Sequence, residues 1–313
     1  MSILPFLLAL IAGTLNGSYL LFLKSSQNKS LSWIVFGLIT FLIAPLIVLS
    51  ISSLTANIFI SDLDIIICLL VGVAFGLGMF LFSRSVDYIG IGIPFALNIS
   101  LGTLSGGLFS LFIHQNYDLL KAETILAYVF FLSAIVFYSI SLSIRDGSGN
   151  NLNWVKGLIF ALLSALLCST QGAAIGYYSD KIIIHSHSFL AMSMPWTLIF
   201  ISCSLIFILG HFKRLRTNTN QKMQYSSSLY VGLFMSFFYI SSIAIYNLAN
   251  IFSQKFSEAY IWMLFMAVII VSSTFVGYLN KEWKNKNKKS IYINLFSVGL
   301  VIISIILLGC SAL

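Results

Sequence analysis

An all-α integral membrane protein, with ten transmembrane helices arranged as two inverted five-helix repeats, is the fold this sequence predicts. Three observations predict it. First, 59% of the 313 residues are hydrophobic and only 8% are charged, whereas soluble domains carry about 25% charged residues. Water does not solvate a surface so poor in charge, so lipid is its solvent. Second, the apolar residues gather in ten runs of about 20, the helix length that crosses a hydrocarbon core. They are long and continuous, where a membrane barrel shows brief alternating ones. Third, polar residues and prolines recur at matching places in the two halves.

The runs fall at 2–23, 31–53, 64–83, 90–113, 123–143, 155–178, 188–210, 228–249, 257–279 and 289–312. The first has no Lys or Arg before Lys24. It lacks the basic start of a signal peptide and reads as a retained helix. The connections between runs 1–2, 3–4, 5–6, 7–8 and 9–10 hold Lys24, Lys29, Arg84, Arg145, Lys156, Lys213, Arg214, Arg216, Lys222, Lys281, Lys284, Lys286, Lys288 and Lys289. The opposite side keeps Lys121, Lys181 and Lys255. Basic connections stay in the cytoplasm, so both termini are expected outside it. The formal net charge of +8 is thus a topology signal spread over short loops. Nucleic-acid binding would need it gathered on one face.

Five runs per half is an odd number, so a duplicated half inserts upside down. The division is expected at residues 1–145 and 154–313, with a polar link at 146–153. Run 1 carries Asn16-Gly17 and run 6 carries Gln171-Gly172, each near mid-run; runs 2 and 7 carry Pro45 and Pro195 at equivalent positions. Inverted repeats place a solute site near the midplane and move one half against the other.

A polar side chain in hydrocarbon needs a partner or a wet cavity. The candidates are Asn16, Ser18 and Tyr19 in run 1, Asn98 in run 4, Thr170 and Gln171 in run 6, and Trp196 in run 7. Tyr239, Tyr246 and Asn247 follow in run 8, then Tyr260 and Trp262 in run 9. Amides both donate and accept, and aromatic faces cover the apolar side of a sugar-like ring. The substrate-binding set expected from this pattern is Asn16, Tyr19, Asn98, Gln171, Trp196, Tyr239, Tyr260 and Trp262. The same residue types also bond helix to helix with no ligand involved, and that reading stays open. Gly13 and Gly17, and Gly102 and Gly106, form two GxxxG patterns suited to close helix contact, within the chain or between two copies. A monomer or a homodimer is expected.

Of the nine carboxylates, Glu258 stands out, at the start of run 9 and one turn before Trp262. In a low-dielectric cavity it would carry a proton; at a helix N-terminus facing water, paired with Lys255 one turn earlier, it would be an ordinary first-turn Glu. His114, His185, His187 and His211 lie at run ends and read as interfacial. Lys281-Glu282-Trp283-Lys284 reads as a headgroup anchor. Cys68, Cys168, Cys203 and Cys310 read as small packing residues, with no metal site or disulfide framework. No phosphate loop, HExxH or GxSxG occurs, so neither hydrolysis nor ATP use is expected, and no enzyme or cofactor is expected.

Three stretches carry a family resemblance: Tyr19-Leu-Leu-Phe-Leu-Lys24 with Leu31-Ser-Trp33; Phe75-Gly-Leu-Gly78 through Arg84 and Tyr88-Ile-Gly-Ile-Gly-Ile93 to Gly102-Thr-Leu104; and Tyr260-Ile-Trp-Met-Leu264 through Val276-Gly277 to Lys281-Glu-Trp-Lys284. With these the chain resembles the L-rhamnose–proton symporter family, within the drug/metabolite transporter (DMT) superfamily. The resemblance implies a DMT-like inverted repeat, external termini, and an Asp four residues before the Trp of the run-9 motif, a position held here by Glu258. It departs at Pro94-Phe-Ala-Leu-Asn98, where the family has small residues and glycine. The expectation is proton-coupled transport of a rhamnose-like sugar across a bacterial inner membrane. The alternative is a facilitator or exporter of an amino acid, nucleoside or carboxylate on the same fold.

Overall fold

The computed structural model describes residues 3–55, 61–89, 92–103, 122–146, 152–185, 189–217, 225–252, 258–279, 283 and 287–312. Helix α1 (Leu4–Ser18) runs into a 3-10 stretch (Tyr19–Ser25). Helix α2 (Lys29–Gly37) widens into a π-helical stretch (Leu38–Ile43) and continues as α3 (Ala44–Thr55). Then follow α4 (Asp62–Ile89), α5 (Gly92–Thr103), α6 (Ala122–Asp146), α7 (Leu152–His185), α8 (Phe189–Thr217), α9 (Tyr225–Phe252), α10 (Glu258–Leu279) and α11 (Lys288–Ala312). No strand occurs among the described residues. Nine segments among them are long and apolar enough to span a bilayer. The chain is a multi-pass α-helical membrane protein. The predicted fourth run, 90–113, is represented by the 12 residues of α5; its remainder lies outside the described residues, as do residues 147–151 of the expected link 146–153.

Local chemistry starts and bends these helices. The Asn28 side chain accepts from the Leu31 N–H at 3.1 Å and caps α2. Ser61 does the same for Asp64 at α4, whose first turn also carries Asp62 and Asp64, acids that favour the positive end of a helix. Pro45 has no N–H to give to Phe41, and its ring crowds that carbonyl. The π turn just before it relieves the conflict. Pro195 lies inside α8 with no such break, so the two matching prolines act differently.

The burial pattern is inverted relative to a soluble protein. Leu70, Leu166, Leu205 and Phe237 are 57–67% exposed, which suits lipid contact. Ser32, Ser83, Ser141, Ser164, Ser228 and Asn294 are fully buried. Helix α1 packs on α9 and α10, α4 packs on α7 and α8, α5 packs on α7, α2 packs on α8 and α9, and α6 packs on α11. Small residues allow the closest of these approaches. A Cβ on Gly17 would lie 2.6 Å from the Ile269 carbonyl and overlap the Ser272 hydroxyl. The Gly13–Gly17 pattern therefore seats α10 of the same chain. Gly72 and Gly76 seat α8 the same way, against Ile199 and Cys203.

The end of the molecule predicted to be cytoplasmic is cross-linked by polar contacts. Arg214 pairs with Asp87 at 2.5 Å, joining α8 to α4. One turn deeper the Ser83 hydroxyl and His211 Nε2 lie 2.9 Å apart. Ser141 and Ser290 each donate to the other's carbonyl, at 2.8 and 2.6 Å. Two expectations are corrected here. His211 is fully buried and stacks on Trp33, because α8 continues seven residues past the predicted end of run 7. Trp283 is buried too, stacked on Tyr278 at 5.2 Å with Arg145 over its ring at 4.9 Å. Of the other histidines, no side chain is described.

Candidate functional site

Mid-span residues of seven helices surround a cavity of about 100 Å³. Asn16 and Tyr19 come from the first segment, Asn98 and Gly102 from α5, and Gln171 from α7. Trp196 comes from α8, Tyr239 from α9 and Trp262 from α10. Phe75, Met79 and Phe82 of α4, Phe95 of α5, and Phe265 of α10 complete much of the apolar wall. Of the eight residues predicted to bind substrate, the structure brings together all but Tyr260. Tyr260 and Glu258 belong to α10, with Glu258 as its first residue, but their side chains lie outside the described residues.

Several of the lining polar groups also bond helix to helix. Asn98 Nδ2 donates to the Ser164 hydroxyl at 3.1 Å and to the Pro94 carbonyl at 3.0 Å, and Ser164 donates back to Asn98 Oδ1 at 3.3 Å. Trp262 Nε1 donates to the Gly102 carbonyl at 3.0 Å. Asn16 Nδ2 donates to the Ser242 hydroxyl at 3.3 Å. These bonds tie α5 to α7, α10 to α5 and α1 to α9. By contrast, Trp196 Nε1 is buried with no hydrogen-bond partner, and Gln171 Nε2, with the Tyr239 hydroxyl as a near neighbour, makes no full bond. A buried N–H without a partner costs about 1–3 kcal/mol, so each calls for a water or a solute.

Rings shape the cavity further. Tyr19 meets Tyr239 edge-on at 5.3 Å and stacks on Phe36 at 5.6 Å. On the far side Tyr246 stands behind the lining, 6.4 Å from the Trp196 ring and 5.5 Å from that of Trp262. Tyr246 thus braces two lining rings without facing the cavity. Thr170 folds back onto the Leu167 carbonyl at 2.6 Å, and Ser18 onto that of Thr14 at 2.7 Å; neither lines the cavity. Cys168, read from sequence as a packing residue, does line it. The apolar lining was not legible in sequence, since Phe75 or Phe82 looks like any lipid-facing ring.

No family model matches the sequence, and no curated protein matches it. The fold itself is known. The chain is similar to a protein of known crystal structure with a TM-score of 0.62 over 98% of each chain, at 14% identity. That similarity is one of fold alone, and it runs from end to end.

Among the described lining residues none is Asp, Glu, Lys, Arg or His. A mostly apolar concave space with a few convergent amides, hydroxyls and indole N–H groups is the usual form of a small-molecule site.

Proposed function

We propose that this chain is a secondary transporter that carries a small polar solute across a membrane by alternating access. The observation that carries the reading is the convergence of Asn16, Tyr19, Asn98, Gln171, Trp196, Tyr239 and Trp262, scattered over 247 residues of sequence, on one mid-span cavity. The solute's hydroxyls would meet the N–H groups of Gln171 and Trp196, and its apolar face would lie against the rings. No chemical conversion is proposed, and the chain acts as a permease rather than an enzyme.

The packing supports ten spans in two inverted five-helix repeats. Number the segments one to ten and exchange each with the one five places away. Contact 1–8 becomes 6–3, 1–9 becomes 6–4, 2–8 becomes 7–3, 4–5 becomes 9–10, and 5–10 maps onto itself; each of these pairs packs in this chain. A pseudo-twofold axis in the membrane plane accounts for that exchange. Each half then has a solute-facing set of its own, so rocking one against the other would open the site to alternate faces.

The resemblance to L-rhamnose–proton symporters supports a sugar-like substrate and proton coupling through Glu258, one turn before Trp262 on α10. The basic connections support external termini in a bacterial inner membrane. The test is a thermal-shift screen of the purified protein against sugars, nucleosides, amino acids and carboxylates. Uptake of each hit into proteoliposomes follows, with and without a protonophore. A stabilising sugar whose accumulation collapses with the protonophore is the expected result. Hits only among other classes would overturn the sugar assignment, and equilibration insensitive to the protonophore would make the chain a facilitator.

A further inference from the structure

A second chamber, of about 80 Å³, lies beside the cavity between the α2–α3 segment, α8 and α9. Trp196 and Ile243 wall both spaces. The chamber sits where the chain departs from regular helix: Thr40 of the π stretch and Pro45 just after it form one wall. In a regular helix a Thr hydroxyl commonly bonds the carbonyl three or four residues back. Thr40 does not, and its fully buried hydroxyl has no partner.

Two more polar groups on this wall are in the same state. Asn247 is 2% exposed; its Nδ2 donates to the Ser193 hydroxyl at 3.2 Å, and its Oδ1 has no partner. Trp196 is 4% exposed with Nε1 idle. Natural interiors leave few buried polar atoms unpaired. Three of them around one void indicate that the void is filled by something that bonds. Together they present an N–H donor, an amide carbonyl acceptor and a hydroxyl that does either. Ser193 and Thr197 also line the chamber, the first bonded to Asn247 and the second to the Ser193 carbonyl; the other described lining residues are apolar, and none of those described is charged. At 10–15 Å³ per water, the space admits on the order of five waters.

We propose that this chamber is a second subsite of the transport cavity. It takes a short, neutral, hydroxyl-bearing arm of a solute whose ring lies between Tyr19, Tyr239 and Trp262, with Trp196 as the divider. A hydroxyl both donates and accepts, so it can satisfy Asn247 Oδ1 and receive from Trp196 Nε1. A carboxylate or ammonium would find no counter-charge there. The inference rests on the transport reading and adds the shape and chemistry of the substrate: ring plus hydroxylated arm.

Two probes of equal size isolate the arm. The 2-hydroxyethyl and n-propyl glycosides of one hexose differ only in a terminal hydroxyl against a methyl. Binding of both, and of the parent hexose, is measured by calorimetry for glucose and rhamnose on the full-length protein and on Thr40→Val, Asn247→Leu and the double variant. The wild type is expected to favour the hydroxyethyl arm roughly tenfold, as one satisfied buried bond implies. The double variant is expected to lose that preference while keeping its affinity for the parent hexose, which also shows that it folds. Equal affinity for the two arms in the wild type, or a preference that survives in the double variant, would overturn the subsite. If no parent sugar binds, the sugar reading of the cavity fails, and the arm fails with it. The chamber is then judged on Ala244→Cys in a background lacking the native cysteines. Reaction with N-ethylmaleimide that Asn247→Leu slows several-fold keeps a wet polar chamber, and no reaction eliminates it.

Discussion

Replacing Asn98 by Leu separates helix glue from solute contact. The substitution roughly keeps volume but removes both bonds to Ser164 and the bond to the Pro94 carbonyl. Ser164 is fully buried, and its other side-chain neighbour at bonding range among the described residues is the Cys168 sulfur at 3.9 Å, a weak partner. Leaving that hydroxyl idle costs about 1–3 kcal/mol in a protein interior. Interhelical bonds in membranes measure lower, about 0.6 on average and 1.7 at most. The reciprocal geometry places this pair near the upper figure, so a coupling of about 1–1.5 kcal/mol is expected. Asn98→Leu and Ser164→Ala should each lower the unfolding temperature, and the double variant should fall by less than their sum, because replacing both partners leaves nothing unsatisfied. The assay is thermal unfolding of the detergent-solubilised protein, read beside binding of whichever solute the screen identifies. Binding should stay lost in the double variant although stability returns. Additive losses of stability would refute the bond's role, and binding that returns with stability would reduce Asn98 to glue.

Three further outcomes are expected. Gly17→Ala forces α1 away from the Ile269 carbonyl and should lower the unfolding temperature by the equivalent of about 1–3 kcal/mol. Adding Ser272→Gly should recover only part of it, since the backbone clash remains; full recovery would contradict the geometry. The Arg214–Asp87 pair is about one-fifth exposed on both sides, so its loss should cost only about 0.2–1 kcal/mol of stability. Asp87→Asn should instead loosen the end predicted to be cytoplasmic and speed thiol labelling of Cys168 from that face several-fold. The swap Asp87→Arg with Arg214→Asp should restore the slow rate, and a swap no slower than Asp87→Asn would remove the pair from gating. Glu258→Gln should abolish accumulation against a gradient while solute exchange continues; full accumulation by the variant would eliminate its coupling role.

Much of this architecture is written in hydropathy, because lipid imposes one rule on every span. Asn16, Gln171 and Trp262 were legible because a polar or indole group in a greasy run has few physical reasons to be there. Thr40 was harder: an isolated Thr in an apolar run looks innocuous, and only the π turn ahead of Pro45 leaves its hydroxyl idle. His211 was misplaced because α8 extends to Thr217, whereas the apolar run ends near Gly210. Hydropathy sees where apolar residues stop, and helices continue for as long as neighbours bury them. The internal partner of Gly13 and Gly17 was equally hidden, since a small-residue pattern names a close contact without naming what approaches.

The central claim is that the mid-span cavity is wet and is reached from both sides of the membrane in turn. Cys168 reports on it directly, because it lines the cavity. The decisive measurement is the rate at which a charged, membrane-impermeant thiol reagent labels Cys168 in Cys68→Ala, Cys203→Ala, Cys310→Ala protein, in right-side-out and in inside-out vesicles. Alternating access predicts labelling from each face, slowed several-fold by the bound solute. A cysteine inert from both faces, with or without solute, would contradict the account.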